Sequence, residues 1–206
     1  MKACGILLAA GQARRMGRPK LLLPWGNSTV LGTVVDAFLG AGMDPVLVVI
    51  GGPTGSALHQ AVGARRVRFV ENPEPEGEML SSVRCGLKAA PEGMDAFVVS
   101  PADMPGLTSA LIRELLTAHQ RLGGKITVPV WQGRRGHPLV FAAQLRGEVL
   151  TRFDGVGLRG LLESHAPEVR EWPAPDAAVV WDLDTLEDYA CWQAWASSAK
   201  ADEARG

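Results

Sequence analysis

Between Leu8 and Lys20 the chain reads LAAGQARRMGRPK, with Arg14, Arg15, Arg18 and Lys20 in close succession and no carboxylate among them. Ala9, Ala10 and Gly11 are small enough for a ligand to approach the backbone, whose N–H groups can line an anion site. As a plain exposed turn, the segment would leave its positive charges unrelieved, whereas a polyphosphate would relieve them. The Gly-Lys-Ser/Thr ending of a P-loop is missing, and so is the GxGxxG dinucleotide fingerprint, so neither of those phosphate-binding designs applies.

Two distant acidic segments could complete such a site. Asp103 stands in Ser100-Pro101-Ala102-Asp103-Met104-Pro105, and Asp182 and Asp184 flank Leu183 in Trp181-Asp182-Leu183-Asp184-Thr185. Mg²⁺ is held by one or two carboxylates together with phosphate oxygens and retained waters. A lone Asp in a proline turn is common, and it is the second acidic pair that gives Asp103 weight. Residues two apart along an extended chain project to the same side, although one of the two could instead cap the last helix. A third polar stretch, Gly77 to Leu87, turns into a helix with Ser81 and Ser82 as candidate N-caps. A fourth, Gly133-Arg134-Arg135-Gly136-His137-Pro138, sets a histidine in an arginine-bearing turn, which suits an anionic second substrate. His59, His119 and His165 have no comparable setting and read as surface residues.

The elements that must position these residues are legible from hydrophobic periodicity. Short apolar, β-branched runs at Cys4 to Leu8, Pro45 to Ile50, Val67 to Val70, Ala96 to Val99 and Ile126 to Val130 predict strands. Helical periods at Val30 to Leu39, Ser56 to Val62, Val83 to Ala89 and Ser109 to Leu122 lie between them. That βαβα order predicts an α/β fold, a mostly parallel doubly wound sheet with helices on both faces, which binds ligands beyond the carboxyl ends of its strands. After Pro129 the rhythm weakens. Leu139 to Phe141 and Val179 to Trp181 read as short, antiparallel additions, Arg159 to Ser164 as a short helix, and Thr185 with Asp188 as a capping box opening the last helix. Tyr189, Trp192 and Trp195 on that helix read as packing residues.

At 206 residues, with 47% apolar and 21% charged residues, the chain suits one domain over 1–196, followed by a frayed tail over 197–206. A net charge of −1, with the arginine pairs scattered, argues against nucleic acid as the partner. Cys4, Cys85 and Cys191 are far apart, which indicates neither a disulfide framework nor a zinc site and fits the reducing cytoplasm. The apolar run Ala3 to Ala10 is too short for a signal peptide, and no run approaches a membrane span.

The string LAAG, then Arg15-Met16-Gly17, then Pro19-Lys20-Leu21-Leu22 resembles the signature loop of the NTP-transferase family, whose fold is Rossmann-like. Within it the chain is most similar to the molybdenum cofactor cytidylyltransferases. The resemblance implies that the Leu8, Ala9, Ala10 and Gly11 backbone holds base and phosphates, that Arg15 binds the β and γ phosphates, and that Lys20 neutralises the α-phosphate. PADMP and DLDTLEDY resemble the family's metal motifs and imply Mg²⁺ on Asp103 and on Asp182 or Asp184. Asp182 ranks first, because Asp184 sits beside the helix cap; Leu186 replaces the family's usual proline. The same resemblance gives Ser81 and Ser82 to the nucleobase and ribose, with Glu78 and Leu80 standing where the family often has glycine and serine. GRRGHP and GVGLRGLL resemble acceptor-side motifs, implying Arg135, Gly136, His137 and Arg159 as acceptor contacts. Ala10 and Arg18-Pro19-Lys20 look like the CTP-using branch. The implied acceptor is molybdenum-bearing molybdopterin, with a molybdoenzyme as the partner receiving the product. A GTP-using guanylyltransferase, a sugar-phosphate nucleotidyltransferase and, from another class, a non-catalytic cofactor chaperone are the alternatives.

Overall fold

The five apolar runs form strands, and the four helical periods form helices, each at or near its predicted span. The computed structural model describes residues 1–11, 19–52, 54–74 and 78–203, with side chains through 194. The strands are β1 (Ala3–Leu8), β2 (Pro24–Trp25), β3 (Ser28–Thr29), β4 (Val46–Ile50), β5 (Arg68–Glu71), β6 (Ala96–Pro101), β7 (Ile126–Trp131), β8 (Arg134–Arg135), β9 (Leu139–Ala142) and β10 (Val169–Pro173). The helices are α1 (Val30–Gly40), α2 (Gly55–Val62), α3 (Met79–Ala89), α4 (Ser109–Leu122), α5 (Arg146–Thr151), α6 (Leu158–Ser164) and α7 (Leu186–Glu203). Among the described residues, no helix is long and apolar enough to cross a membrane.

The main sheet runs β10-β7-β9-β6-β1-β4-β5, with β8 paired to β7, and β2 and β3 form a separate antiparallel pair. β1 pairs in parallel with both β4 and β6, and β4 with β5, while β9 runs antiparallel to β6 and β7. The central strands β1, β4 and β6 are apolar but for Ser100 because both of their faces are covered. Leu7 joins the core beneath α1, α2, α4 and α7. Cys4 and Ile6 join the opposite core beneath α3, α5 and α6. Thr29 and Thr108 cap α1 and α4 by accepting from the Gly32 and Leu111 amides at 3.0 and 3.2 Å.

From β1 the chain builds outward to β5 on one side and, from β6, to β10 on the other, so the switch in strand order lies at β1 and its neighbours. Leu8 and Pro101 are paired at the carboxyl ends of β1 and β6, and the Ala102 amide donates to the Leu8 carbonyl at 3.1 Å. The loops that leave this point carry Ala9 to Gly11 and Asp103.

Several expectations need correction. Val179 to Trp181 is not a strand; a short 3₁₀ turn covers Ala177–Val179, capped by Asp176, and the chain beyond is irregular. The outer strand is instead β10, whose VREWP sequence hides its period because charged residues fit an edge strand, paired among the described residues with β7 alone. α5 was not anticipated. α3 begins at Met79, with Glu78 as its N-cap, so Ser81 and Ser82 lie inside the first turn and do not cap it. The last helix continues past 196 to Glu203, through Ala199 to Glu203, which are mostly helix formers. His119 is not a surface residue but is buried with Nδ1 2.8 Å from the Thr127 hydroxyl, while His165 is partly exposed and sits between Glu148 and Glu168.

Candidate active site

Lys20 opens a single 3₁₀ turn, Lys20–Leu22, that follows Pro19. Its ammonium lies 2.5 Å from Asp103 Oδ2 and 3.2 Å from Asp184 Oδ1. Burial by itself would lower the Lys20 pKa, but the Asp103 and Asp184 carboxylates more than offset that and hold it above its ordinary value. The group is therefore a permanent cation at neutral pH.

The acidic segments converge by backbone pairing. The Leu183 amide donates to the Asp103 carbonyl at 3.1 Å while the Leu183 side chain is fully buried. Asp182 and Asp184 are thereby set on the side away from the core, as the alternation required. The Asp182 pKa is raised by partial burial and by the neighbouring Asp103 and Asp184 charges, with Lys20 acting against them. Thr185 and Asp188 form the predicted capping box: the Thr185 amide donates to Asp188 at 2.7 Å and the Asp188 amide to the Thr185 hydroxyl at 3.1 Å.

A divalent cation fits this arrangement on one observation. Asp103 Oδ1 is buried with no hydrogen-bond partner among the described residues, an uncompensated acceptor of the kind a cation satisfies. Among the described residues no three His, Cys, Asp or Glu groups converge to enclose an ion. Phosphate oxygens and water would have to complete its coordination.

A cavity of about 700 Å³ lies alongside, lined among others by Glu78, Leu80, Arg135, Gly136, His137 and Arg159. All four residues expected on the acceptor side thus share one wall system. His137 links cavity to cluster: Asp182 is its charged neighbour, and its amide donates to the Val179 carbonyl at 2.7 Å. Burial lowers the His137 pKa more than Asp182 and a Val99 backbone hydrogen bond raise it, so it enters as a neutral imidazole. Arg135 is paired with Glu171 at 2.9 Å and Arg159 with Glu163 at 3.6 Å, both at the surface, so each must exchange a carboxylate for any anion it binds. Gly136 passes so close to Val179 that a Cβ there would stand 1.9 Å from its carbonyl oxygen.

Ser81 and Ser82 are engaged by Asn72, whose buried side-chain amide donates to both hydroxyls at 2.9 Å and accepts from the Glu74 amide at 2.9 Å. Asn72 was missed in the sequence, although an Asn directly beyond a strand's carboxyl end is a signal the same rule selects. Arg15, together with Arg14 and Arg18, lies outside the described residues.

A mostly parallel sheet that converges a lysine and carboxylates at its switch point defines a Rossmann-like nucleotidyltransferase. The chain belongs to the MobA-like NTP transferase domain family, whose model matches residues 5–169. Among curated relatives, it is 33% identical to nicotine blue oxidoreductase of Paenarthrobacter nicotinovorans, over 89% of this chain and 92% of that one. It is 27% identical to the molybdenum cofactor cytidylyltransferase of Escherichia coli, with 89% and 92% covered. A probable molybdenum cofactor guanylyltransferase of Mycobacterium ulcerans is 31% identical, with 89% and 90% covered. The crystal structure of Rv0371c from Mycobacterium tuberculosis superposes with a TM-score of 0.80 at 29% identity, covering 93% of this chain and 97% of that one. A manganese complex of Rv0371c gives 0.72 at 28% identity, with 92% and 97% covered.

Proposed function

We propose that the protein transfers CMP from CTP to the phosphate of a phosphorylated acceptor, molybdenum-bearing molybdopterin, and releases pyrophosphate in the cytoplasm. The convergence of Lys20 with Asp103 and Asp184 beside an arginine-lined cavity is the observation that carries this reading. An acceptor phosphate oxygen attacks the α-phosphorus; a new P–O bond forms as the α–β P–O bond breaks, its electron pair leaving with pyrophosphate. The attacking oxygen is already ionised, so catalysis needs position and charge neutralisation and no general base. Lys20, held protonated by its carboxylate neighbours, leaves Asp103 for the α-phosphate when the nucleotide enters. Arg15 takes the terminal phosphates, the Leu8 to Gly11 backbone and Ser81 and Ser82 face the nucleoside, and Arg135, His137 and Arg159 hold the acceptor. Asp103, with Asp182 or Asp184, would hold a Mg²⁺ that neutralises the triphosphate.

The test is an NTP panel with Mg²⁺ and molybdenum-loaded molybdopterin, read by pyrophosphate release and product mass. The cytosine dinucleotide is the expected product. The guanine dinucleotide would shift the base assignment toward the mycobacterial relative, and no pyrophosphate with any NTP would overturn nucleotidyl transfer. The identity with nicotine blue oxidoreductase favours one second reading, a redox activity, which reduction of nicotine blue by an added hydride donor in the absence of NTP would reveal.

A further inference from the structure

Arg84 stands on α3, six residues beyond the N-cap Glu78, and its side chain is only 19% exposed. Its guanidinium makes three bonds to one stretch of chain: Nε to the Val149 carbonyl at 3.0 Å, Nη2 to the Arg152 carbonyl at 2.6 Å and Nη1 to Asp154 at 2.5 Å. The carbonyls at the end of α5 have no intrahelical donors, and a cation there also suits the helix dipole. From that anchor the chain passes through three left-handed positions, Phe153 at φ 75°, Gly155 at 74° and Gly157 at 69°. It then enters α6, where the Phe153 ring fills the space a Cβ on Gly160 would need. Glu78 grips the same loop, its Oε2 accepting from the Gly155 amide at 3.1 Å. One helix therefore holds the loop at two points six residues apart, and residues 155–159 of that loop line the cavity together with Glu78, Met79 and Leu80.

We propose that Arg84 is a positioning residue for the second substrate: it clasps the Gly155 to Arg159 wall of the acceptor cavity to α3, touching neither substrate itself. Ser81 and Ser82, on the first turn of the same helix, are tied to Asn72 and not to this loop. Loss of the clasp should accordingly loosen the acceptor wall and leave the nucleotide side intact. The inference rests on the nucleotidyl-transfer reading, and wild-type turnover tests that reading separately.

With CTP and molybdenum-loaded molybdopterin, Arg84→Met should raise the KM for the acceptor by about ten-fold, with the KM for CTP within about two-fold of wild type. Arg84→Lys should not restore the wild-type value, since an ammonium cannot span three divergent acceptors. Asp154→Ala, at a side chain 76% exposed, removes only the ion pair and serves if Arg84→Met does not fold; a roughly three-fold rise in acceptor KM alone is expected. Hydrogen exchange supplies a readout free of activity: amides of residues 153–159 should lose protection in Arg84→Met while those of β1 and β6 keep it. If wild type turns over and either soluble variant leaves the acceptor KM unchanged, or raises both KM values alike, the positioning role is refuted. If wild type releases no pyrophosphate while Arg84→Met still deprotects 153–159, the clasp stands and the nucleotidyl-transfer reading fails.

Discussion

Gly136→Ala isolates the contact between the acceptor turn and the acidic segment. The new Cβ would lie 1.9 Å from the Val179 oxygen, 2.6 Å from its carbonyl carbon and 3.0 Å from Val180 Cγ1. The nearest obstacles are backbone atoms, which cannot rotate away as a flexible side chain could. Restoring ordinary contact requires the Val179 carbonyl to retreat by about 1.5 Å. That same oxygen accepts from the His137 amide at 2.7 Å, so the retreat also breaks this bond. Overpacking of this kind costs about 1–3 kcal/mol, and the lost bond about 1 kcal/mol more. In a chain of this size that lowers the melting temperature by about 4–16 °C.

The catalytic consequence should be larger. Asp182 follows Val179 by three residues, and a displacement near 1 Å in a catalytic group typically costs about 10²-fold in rate. The assay is pyrophosphate release under saturating CTP and Mg²⁺, alongside thermal unfolding. Gly147→Ala is the control: it sits within α5, its Cβ would meet nothing within 4 Å, and it should be neutral or stabilising by up to about 1 kcal/mol. If Gly136→Ala keeps wild-type turnover and melting temperature, the acceptor turn does not set the position of the carboxylates, and the coupling argued from these distances is wrong.

Lys20→Met should lower kcat by about 10²–10³-fold, the usual loss for one preorganised donor at the reacting phosphate; an unchanged kcat would remove Lys20 from the chemistry. Asn72→Ala leaves the Ser81 and Ser82 hydroxyls and the Glu74 amide without their buried partner and should destabilise by about 2 kcal/mol in chemical denaturation. It should also raise the KM for CTP more than that for the acceptor, opposite to the Arg84 split. The His165 pKa is raised by its hydrogen bond to Glu168, against burial, and further by Glu148. Its contribution to stability is therefore complete below about pH 6.5 and is lost as pH rises through the higher folded value. The melting-temperature gap between wild type and His165→Gln should narrow above pH 6.5; a constant gap from pH 6 to 8 would contradict this assignment.

The fold was readable where one physical signal dominated. β1, β4, β6 and β7 are covered on both faces and so are mostly apolar, with Ser100 and Thr127 the buried polar exceptions, while α1 and α4 carry their caps at Thr29 and Thr108. The signal failed at β10, where the consecutive charges Arg170 and Glu171 precede a buried Trp172, and at Val179 to Trp181, where the apolar run leaves a 3₁₀ turn at buried Val179 and ends on an exposed Trp181. Apolar content alone does not fix conformation. The same limit holds in the site. Lys20, Asp103, Asp182 and Asp184 could be selected because clustered charge is conspicuous in a sequence, but Arg84 and Asn72 are engaged by Val149, Arg152 and Asp154 and by Ser81, Ser82 and the Glu74 amide, pairings that only the folded chain makes. The charged residues are thus visible in the sequence, whereas the walls beside them are held by polar contacts made only in the fold. It follows that variants of the second group should separate the two substrates kinetically, and variants of the first should lower turnover without separating them.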